Sequence, residues 1–296
     1  MPWKWNEDRM RFSIVTPSFN SAATLRETIE SVVKQNYADW EHLVVDGGSK
    51  DGTLDILRQY PHLKWTSEKD EGHYDAMNKG LQRSTGDVVA ILNADDCYRE
   101  GALRKIAAAL QSHPQWDGLF TDVVYVDKDS RVIFKRKEAV FDYDVLRFGG
   151  VCYVIHPTLF LRKSVYDRLG GYKHKEYLNC CDVELILRLG RNKCRIGHVP
   201  EFLVNYRFHE HGQSADLRVR RNMAAESERI RREHGCPAGM LGKAAAVYAR
   251  VRRQAQKLCL RGTCDLIPGR WLLKKHMRDK TAFSSNIEID RLEEGR

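Results

Sequence analysis

This chain has no apolar run approaching the ~20 residues that a helix needs to cross a bilayer, which excludes a bilayer-spanning helix from it. Its eight cysteines, at 97, 152, 180, 181, 194, 236, 259 and 264, include no Cys-x-x-Cys and no zinc spacing. That excludes structural zinc modules and thioredoxin-like centres, and the cysteines read as free thiols of a reducing compartment. Met1-Pro2-Trp3-Lys4-Trp5 leads into charges rather than an apolar signal core, so a cytoplasmic protein is expected. There is no internal repeat and no low-complexity tract. The tryptophans form no ladder of stacking aromatics, and no nucleic-acid recognition motif is found, so no nucleic-acid partner is expected.

What is present is a chain long enough to bury a large core, as one big α/β domain with an appendage or as two domains. Its charge is uneven. Arg218 to Arg261 holds twelve Lys/Arg against three acids, a surplus equal to the net +9 of the whole chain. The remainder is neutral, and the basic character belongs to the tail.

Arg11 to Pro17 reads as a first strand, closed by a proline that cannot donate to a ladder. Thr24 and Glu27 form a capping-box pattern ahead of Leu25, Ile29, Val32 and Val33 at helical spacing. Leu43 to Val45 is a second strand, and Asp51 can cap a helix carrying Leu54, Ile56 and Leu57. Leu63 to Trp65, a helix over Tyr74 to Leu81, a strand over Val88 to Leu92 and a helix over Arg99 to Leu110 continue the alternation. It predicts a parallel, doubly wound sheet over about residues 10–125. Beyond Thr121 the pattern turns antiparallel. Asp127 to Ser130 is a hairpin turn between Leu119–Val126 and Arg131–Lys135. Leu159 to Leu169 and Val183 to Leu189 read as helices and Phe202 to Tyr206 as a late strand. Basic helices follow, broken at Gly235-Cys236-Pro237 and at Ile267-Pro268-Gly269.

Two of these strands end in acids. Val88 to Leu92 runs through Asn93-Ala94 into Asp95-Asp96, and Leu43 to Val45 runs into Asp46. Adjacent carboxylates repel and raise each other's pKa, and a divalent cation taking oxygen ligands resolves the conflict. A turn with two solvated acids is the plainer alternative. Ligands of such sheets bind outside the carboxyl ends of the strands. Thr16-Pro17, Asp46 and Asp95-Asp96 all fall at that edge, which argues for one site.

Four ordered segments carry a resemblance. They are Val15 to Asn20, Val45-Asp46-Gly47-Gly48-Ser49-Lys50-Asp51-Gly52-Thr53, Ser67 to Gly80 with Tyr74-Asp75-Ala76-Met77-Asn78-Lys79-Gly80, and Leu92-Asn93-Ala94-Asp95-Asp96. Over about residues 10–215 the chain resembles the family 2 glycosyltransferases, in the variant of the polysaccharide and lipopolysaccharide branch. The resemblance implies a GT-A fold: an α/β, Rossmann-like, mostly parallel sheet with helices on both faces. It implies a catalytic domain over 1–215, with a nucleotide-sugar half at about 10–125 and an acceptor half at about 126–215. A basic helical extension follows over 216–296.

The implied reaction is inverting transfer of a sugar from a nucleotide-diphospho-sugar, typically a UDP-sugar, to an acceptor hydroxyl of a glycan or lipid-linked molecule, with Mn²⁺ or Mg²⁺. The resemblance places Thr16, Pro17, Asp46, Tyr74, Asp75, Asn78, Asn93 and Asp95 at the nucleotide-sugar. It places Asp96, with Asp95 and His209, at the metal. Asn93 stands where many members have an aspartate, and it can accept a hydrogen bond but adds no charge. Asp182, in Cys181-Asp182-Val183-Glu184, is the implied general base, since an ionised carboxylate can take the acceptor proton. Glu184 is its runner-up, and His156 lies on the acceptor side. The structural alternatives are an Asx-turn role for Asp46, a helix-dipole role for Asp75 and helix capping by Asp182.

The tail admits three readings, of which nucleic-acid binding has no recognition motif behind it. Leu241, Ala244, Ala245, Tyr248, Val251, Ala255 and Leu258 recur at helical spacing, with Arg250, Arg252, Arg253 and Lys257 between them. Such a helix can lie peripherally on an anionic membrane, or it can pack on the domain with a solvated basic face. Two rival functions are a sugar nucleotidyltransferase and a non-catalytic binder. The first needs a Gly-rich basic loop where Ser18-Phe19-Asn20-Ser21 stands, and the second leaves the strand-end acids unexplained.

Overall fold

A computed structural model describes residues 10–208 and 217–261. Apolar runs become strands where neighbours cover both faces. β1 (Phe12–Ser18), β2 (Trp40–Asp46), β3 (Lys64–Ser67) and β4 (Val88–Ile91) pair in parallel in the order β3-β2-β1-β4. Between them run α1 (Leu25–Val33), α2 (Thr53–Arg58) and α3 (His73–Arg83). α1 buries Leu25, Thr28, Ile29 and Val32, one face at helical spacing. α3 lies close on β1. A Cβ on Gly80 would sit 2.2 Å from Val15 Cγ1, so only glycine allows that approach.

The rest of the sheet changes character. After β5 (Cys97–Tyr98) and α4 (Ala102–Ser112) come β6 (Gly118–Val126) and β7 (Val132–Arg136), the hairpin expected from Asp127 to Ser130. α5 (Tyr143–Gly149), β8 (Leu159–Arg162), α6 (Lys163–Leu169), α7 (Cys181–Arg191) and β9 (Ile196–Arg207) follow. The order continues β4-β8-β6-β9-β5, with β8 antiparallel to both neighbours and β6 parallel to β9. α8 (Leu217–Glu233) and α9 (Gly239–Arg261) complete the described chain.

Two expectations need correction. Leu159–Leu169 is not one helix. Its first four residues form a strand wedged between β4 and β6, because Leu159, Phe160 and Leu161 are buried on both sides. The capping box does not form either. Thr24 Oγ1 donates to Ala94 O at 2.8 Å, and Glu27 accepts from Arg207 Nη2 at 2.5 Å and Ser130 Oγ at 2.7 Å. Distant partners outbid the local cap. Asp51 does bond Thr53 N, at 3.0 Å, from one position before the N-cap Gly52 of α2.

Candidate active site

Parallel register brings the strand ends together. Ser18 lies opposite Asp46, and Asp46 opposite Ser67. Leu92 N donates to Val15 O at 2.9 Å, which sets Asn93 to Asp96 beside the exit of β1. The turn after β1 is tied to the loop after β2. Asn20 takes φ 49°, a left-handed conformation asparagine tolerates; its N–H donates to Ser49 Oγ at 2.7 Å and its Oδ1 accepts from Lys50 N at 3.0 Å. Phe19, 63% exposed, projects from this edge.

The acids at the edge face different ways. Asp46 is fully buried, and its carboxylate accepts from Gly48 N (3.0 Å), Ser49 N (2.9 Å), Ser49 Oγ (2.5 Å) and Ser67 Oγ (2.6 Å). This is the Asx-turn alternative, in which the acid shapes the loop. Gly47 leaves room for another acid: a Cβ there would meet Asp70 Oδ2 at 2.7 Å. Asp96 also points inward. It is buried and accepts from Arg207 N and Asn93 Nδ2, each at 2.9 Å. Burial, and next the charge of Asp95, push its pKa well above the usual carboxylate range. Asp95 is half-buried and so is the member of the pair nearer solvent. Thr16 turns inward as well, its Oγ1 2.9 Å from His42 Nε2, and Pro17 is buried with it.

Arg207 holds this tip in place. Its Nε donates to Asp95 O (2.9 Å), its Nη1 to Asp127 O (3.1 Å) and its Nη2 to Glu27, while its backbone bonds Asp96. In the sequence Arg207 stands two positions before His209 and carries no signal of its own. His209 lies outside the described residues.

A second cluster forms where the N-terminus of α3 meets that of α7. Tyr74 Oη donates to Asp182 Oδ1 at 2.9 Å. Burial, and then the charge of Asp182, raise the Tyr74 pKa well above its ordinary value, so it stays a donor. Tyr74 stacks on Tyr172 at 5.5 Å between centroids, and Tyr172 Oη lies 2.6 Å from His156 Nε2. Burial lowers His73 to about 4 and lowers His156 too, both against the pull of Asp182, so both imidazoles are neutral near pH 7. Sequence reasoning assigned no role to His73, although it lies inside the Ser67 to Gly80 segment, or to Tyr172, which lies in no marked motif.

Other expected residues serve the frame. Asn78 exchanges both amide atoms with Tyr172, donating to its O (2.7 Å) and accepting from its N (2.8 Å). Asp75 pairs with Lys79 at 3.2 Å and accepts from Glu71 N, the behaviour of a first-turn acid. Glu184 is buried against Arg188 (2.9 Å) and Lys173 (3.5 Å), away from the group around Asp182. The structure therefore gathers Asp182, Tyr74 and His156, and leaves Glu184 out.

No group of three or more His, Cys, Asp or Glu side chains among the described residues is arranged to enclose a metal. The edge still fits an ion bound in the open manner of Mg²⁺ or Mn²⁺, by one or two carboxylates with substrate phosphates completing its shell. Asp95 is the half-exposed oxygen donor there, and buried Asp96 stands directly behind it.

The profile of glycosyl transferase family 2 matches residues 13–170, which is more than half of the chain and ends before Asp182. A PGL/p-HBAD biosynthesis glycosyltransferase of Mycobacterium bovis is 36% identical over 168 residues, covering 54% of this chain and 62% of the relative. The chain thus spans less than two thirds of that relative's length. Among solved structures, S. aureus TarS 1-349 in complex with UDP-GlcNAc superposes with TM-score 0.58 at 19% identity, over 83% of this chain and 81% of that 1-349 chain. The mannosyltransferase PcManGT of Pyrobaculum calidifontis, in complex with GDP-Man and Mn²⁺, gives TM-score 0.59 at 21% identity, over 94% and 83%. These likenesses establish the GT-A fold, and with the match over 13–170 the chain belongs to glycosyl transferase family 2.

Proposed function

We propose that this protein transfers a glycosyl group from a nucleoside-diphosphate sugar to an acceptor hydroxyl, with inversion, in the building of cell-surface polysaccharide or lipopolysaccharide. The observation that carries it is the Tyr74–Asp182 pair at 2.9 Å, set where α3 joins the strand-end edge to the start of α7. A donor seated at the edge, with Phe19 and the loop after Asp46 around the base, points its sugar toward Asp182. The acceptor hydroxyl gives its proton to Asp182, its oxygen bonds the anomeric carbon from the opposite face, and the bond to the diphosphate breaks. Tyr74 fixes the carboxylate in orientation. Neutral His156 and His73 offer polar contacts to the acceptor without adding a cation that would tie Asp182 down.

Asp95, with Asp96 behind it, would hold a Mn²⁺ or Mg²⁺ ion, which when bound neutralises charge on the leaving diphosphate. A UDP-sugar is the donor the sequence resemblance implies; TarS was solved with UDP-GlcNAc and PcManGT with GDP-Man, so both nucleotides belong in the test. The setting in polysaccharide synthesis rests on the sequence variant at Tyr74 to Gly80 and Leu92 to Asp96. The test is release of free nucleoside diphosphate across a panel of UDP-, GDP- and dTDP-sugars, with extracted glycolipid or glycan acceptors. Release from a UDP-sugar that needs acceptor supports the reading. No release from any donor, with the donors binding by calorimetry, refutes it.

A further inference from the structure

α9 has two faces of opposite chemistry. The inward face is a strap of cations on buried acids. Arg252 Nε and Gln256 Nε2 each donate to Asp142 Oδ2 at 2.6 Å, Arg253 grips Glu138 at 2.5 and 3.1 Å, and Arg261 Nη2 bonds Asp122 Oδ2 at 2.6 Å. Asp122, Glu138 and Asp142 are all buried, and Lys257 is buried beside them. Much of the tail's positive charge is thus spent inside the molecule.

The outward face is apolar. Leu241, Ala244, Tyr248, Val251, Ala255 and Leu258 alternate in steps of three and four, so they form one stripe. Its large members are 51% to 73% exposed, and Met240 and Val247 beside them are exposed too. A contiguous apolar strip of this kind marks an interaction surface. Lys243 and Arg250 lie exposed along its margin and make no ion pair among the described residues, while the helix contains no acid.

We infer that this outward face of α9 is a docking surface for an anionic lipid bilayer, on which the helix lies in the plane of the interface. Charge decides the occupant. A second copy would bring two apolar stripes together with their cationic margins and no acid to offset them. An anionic surface takes the stripe into its acyl boundary and the margins onto its headgroups. No helix among the described residues is long and apolar enough to cross a membrane, which fits a helix lying flat. The inference rests on packing and charge alone and stands apart from the transferase reading.

The experiment is co-sedimentation of the full chain with vesicles of phosphatidylcholine, alone or mixed with phosphatidylglycerol, at low and high salt. Wild type should prefer phosphatidylglycerol vesicles by about tenfold or more at low salt and lose that preference at high salt. Val251→Asp with Leu258→Asp, both on exposed positions, should keep the wild-type melting temperature and lose about tenfold or more in binding. Lys243→Gln with Arg250→Gln should reduce only the anionic preference. Wild type that ignores phosphatidylglycerol vesicles overturns the inference, as does equal binding to both vesicles or an aspartate variant that binds like wild type. A wild-type dimer that the aspartate variant dissolves, with no vesicle binding, assigns the face to a second copy and overturns it as well.

Discussion

The strand-end edge and the start of α7 both carry aspartates, and they treat them in opposite ways. At the edge the fold consumes Asp46 and Asp96. Asp46 takes four donors from its own loop and from Ser67, and Asp96 takes Arg207 N and Asn93 Nδ2. At α7, Asp182 accepts from Tyr74 Oη and lies among neutral imidazoles. An acid whose oxygens are committed to donors of the fold holds geometry. An acid held at one oxygen by a neutral donor can still exchange a proton with a substrate.

That contrast can be broken by substitution at either end. At the edge, Asp95→Asn should lower turnover by at least roughly a hundredfold, since charge stabilisation of a leaving group by a bound ion is worth several kcal/mol. EDTA should do the same to wild type, with Mn²⁺ restoring it. Asp96→Asn, by contrast, should show mainly as a loss of stability. Equal catalytic loss in both variants at unchanged stability would erase the distinction between them. Asp46→Ala strands buried hydroxyl and amide donors, each unmade bond to a buried group costing about 1–3 kcal/mol. Chemical denaturation should show that loss before any defect in chemistry is seen.

Tyr74→Phe keeps the ring stack on Tyr172 and removes the donor to Asp182. A fall of roughly tenfold in kcat with the donor KM unchanged is expected, the size of one hydrogen bond to a charged group. A raised donor KM at constant kcat would return Tyr74 to the nucleotide side. The smallest effect concerns acid. Burial depresses His42 to about 3 and His73 to about 4. An unfolded histidine titrates near 6.5. Between pH 6.5 and about 4 the unfolded chain therefore takes up protons that the folded chain refuses, and stability falls as pH drops through that window. Both contributions are fully present above pH 6.5. A melting temperature that does not decline between pH 7 and 5 would contradict the buried, neutral state of these rings.

The sequence disclosed the edge but not the facing of its side chains. β1, β2 and β4 were legible because Phe12 to Val15, Leu43 to Val45 and Val88 to Leu92 are apolar runs that only a doubly covered strand accommodates. β8 was not, because Leu-Phe-Leu carries no period and runs directly into α6. The capping box failed because Glu27 answers to Arg207, a partner 180 residues away that no local rule can see. The inward turn of Asp96 depends on Arg207, again nonlocal, whereas three of the four donors to Asp46 come from its own loop, as the Asx-turn alternative has it. The amphipathic tail was visible as a pattern, yet its basic residues do not form one solvated face: Arg253 and Lys257 pack inward, Arg252 reaches Asp142 from an exposed position, and Arg250 stays out.

The central claim is that Asp182, unlike the acids of the edge, handles the acceptor proton. The most direct measurement is turnover and donor affinity on the same Asp182→Asn protein, by nucleotide release and by calorimetry. The side chain keeps its size and its place beside Tyr74 but loses the proton acceptor. Turnover should fall by ~10²–10⁴-fold while the donor dissociation constant stays at the wild-type value. Normal turnover in Asp182→Asn, with the loss appearing instead in Glu184→Gln, would contradict the account.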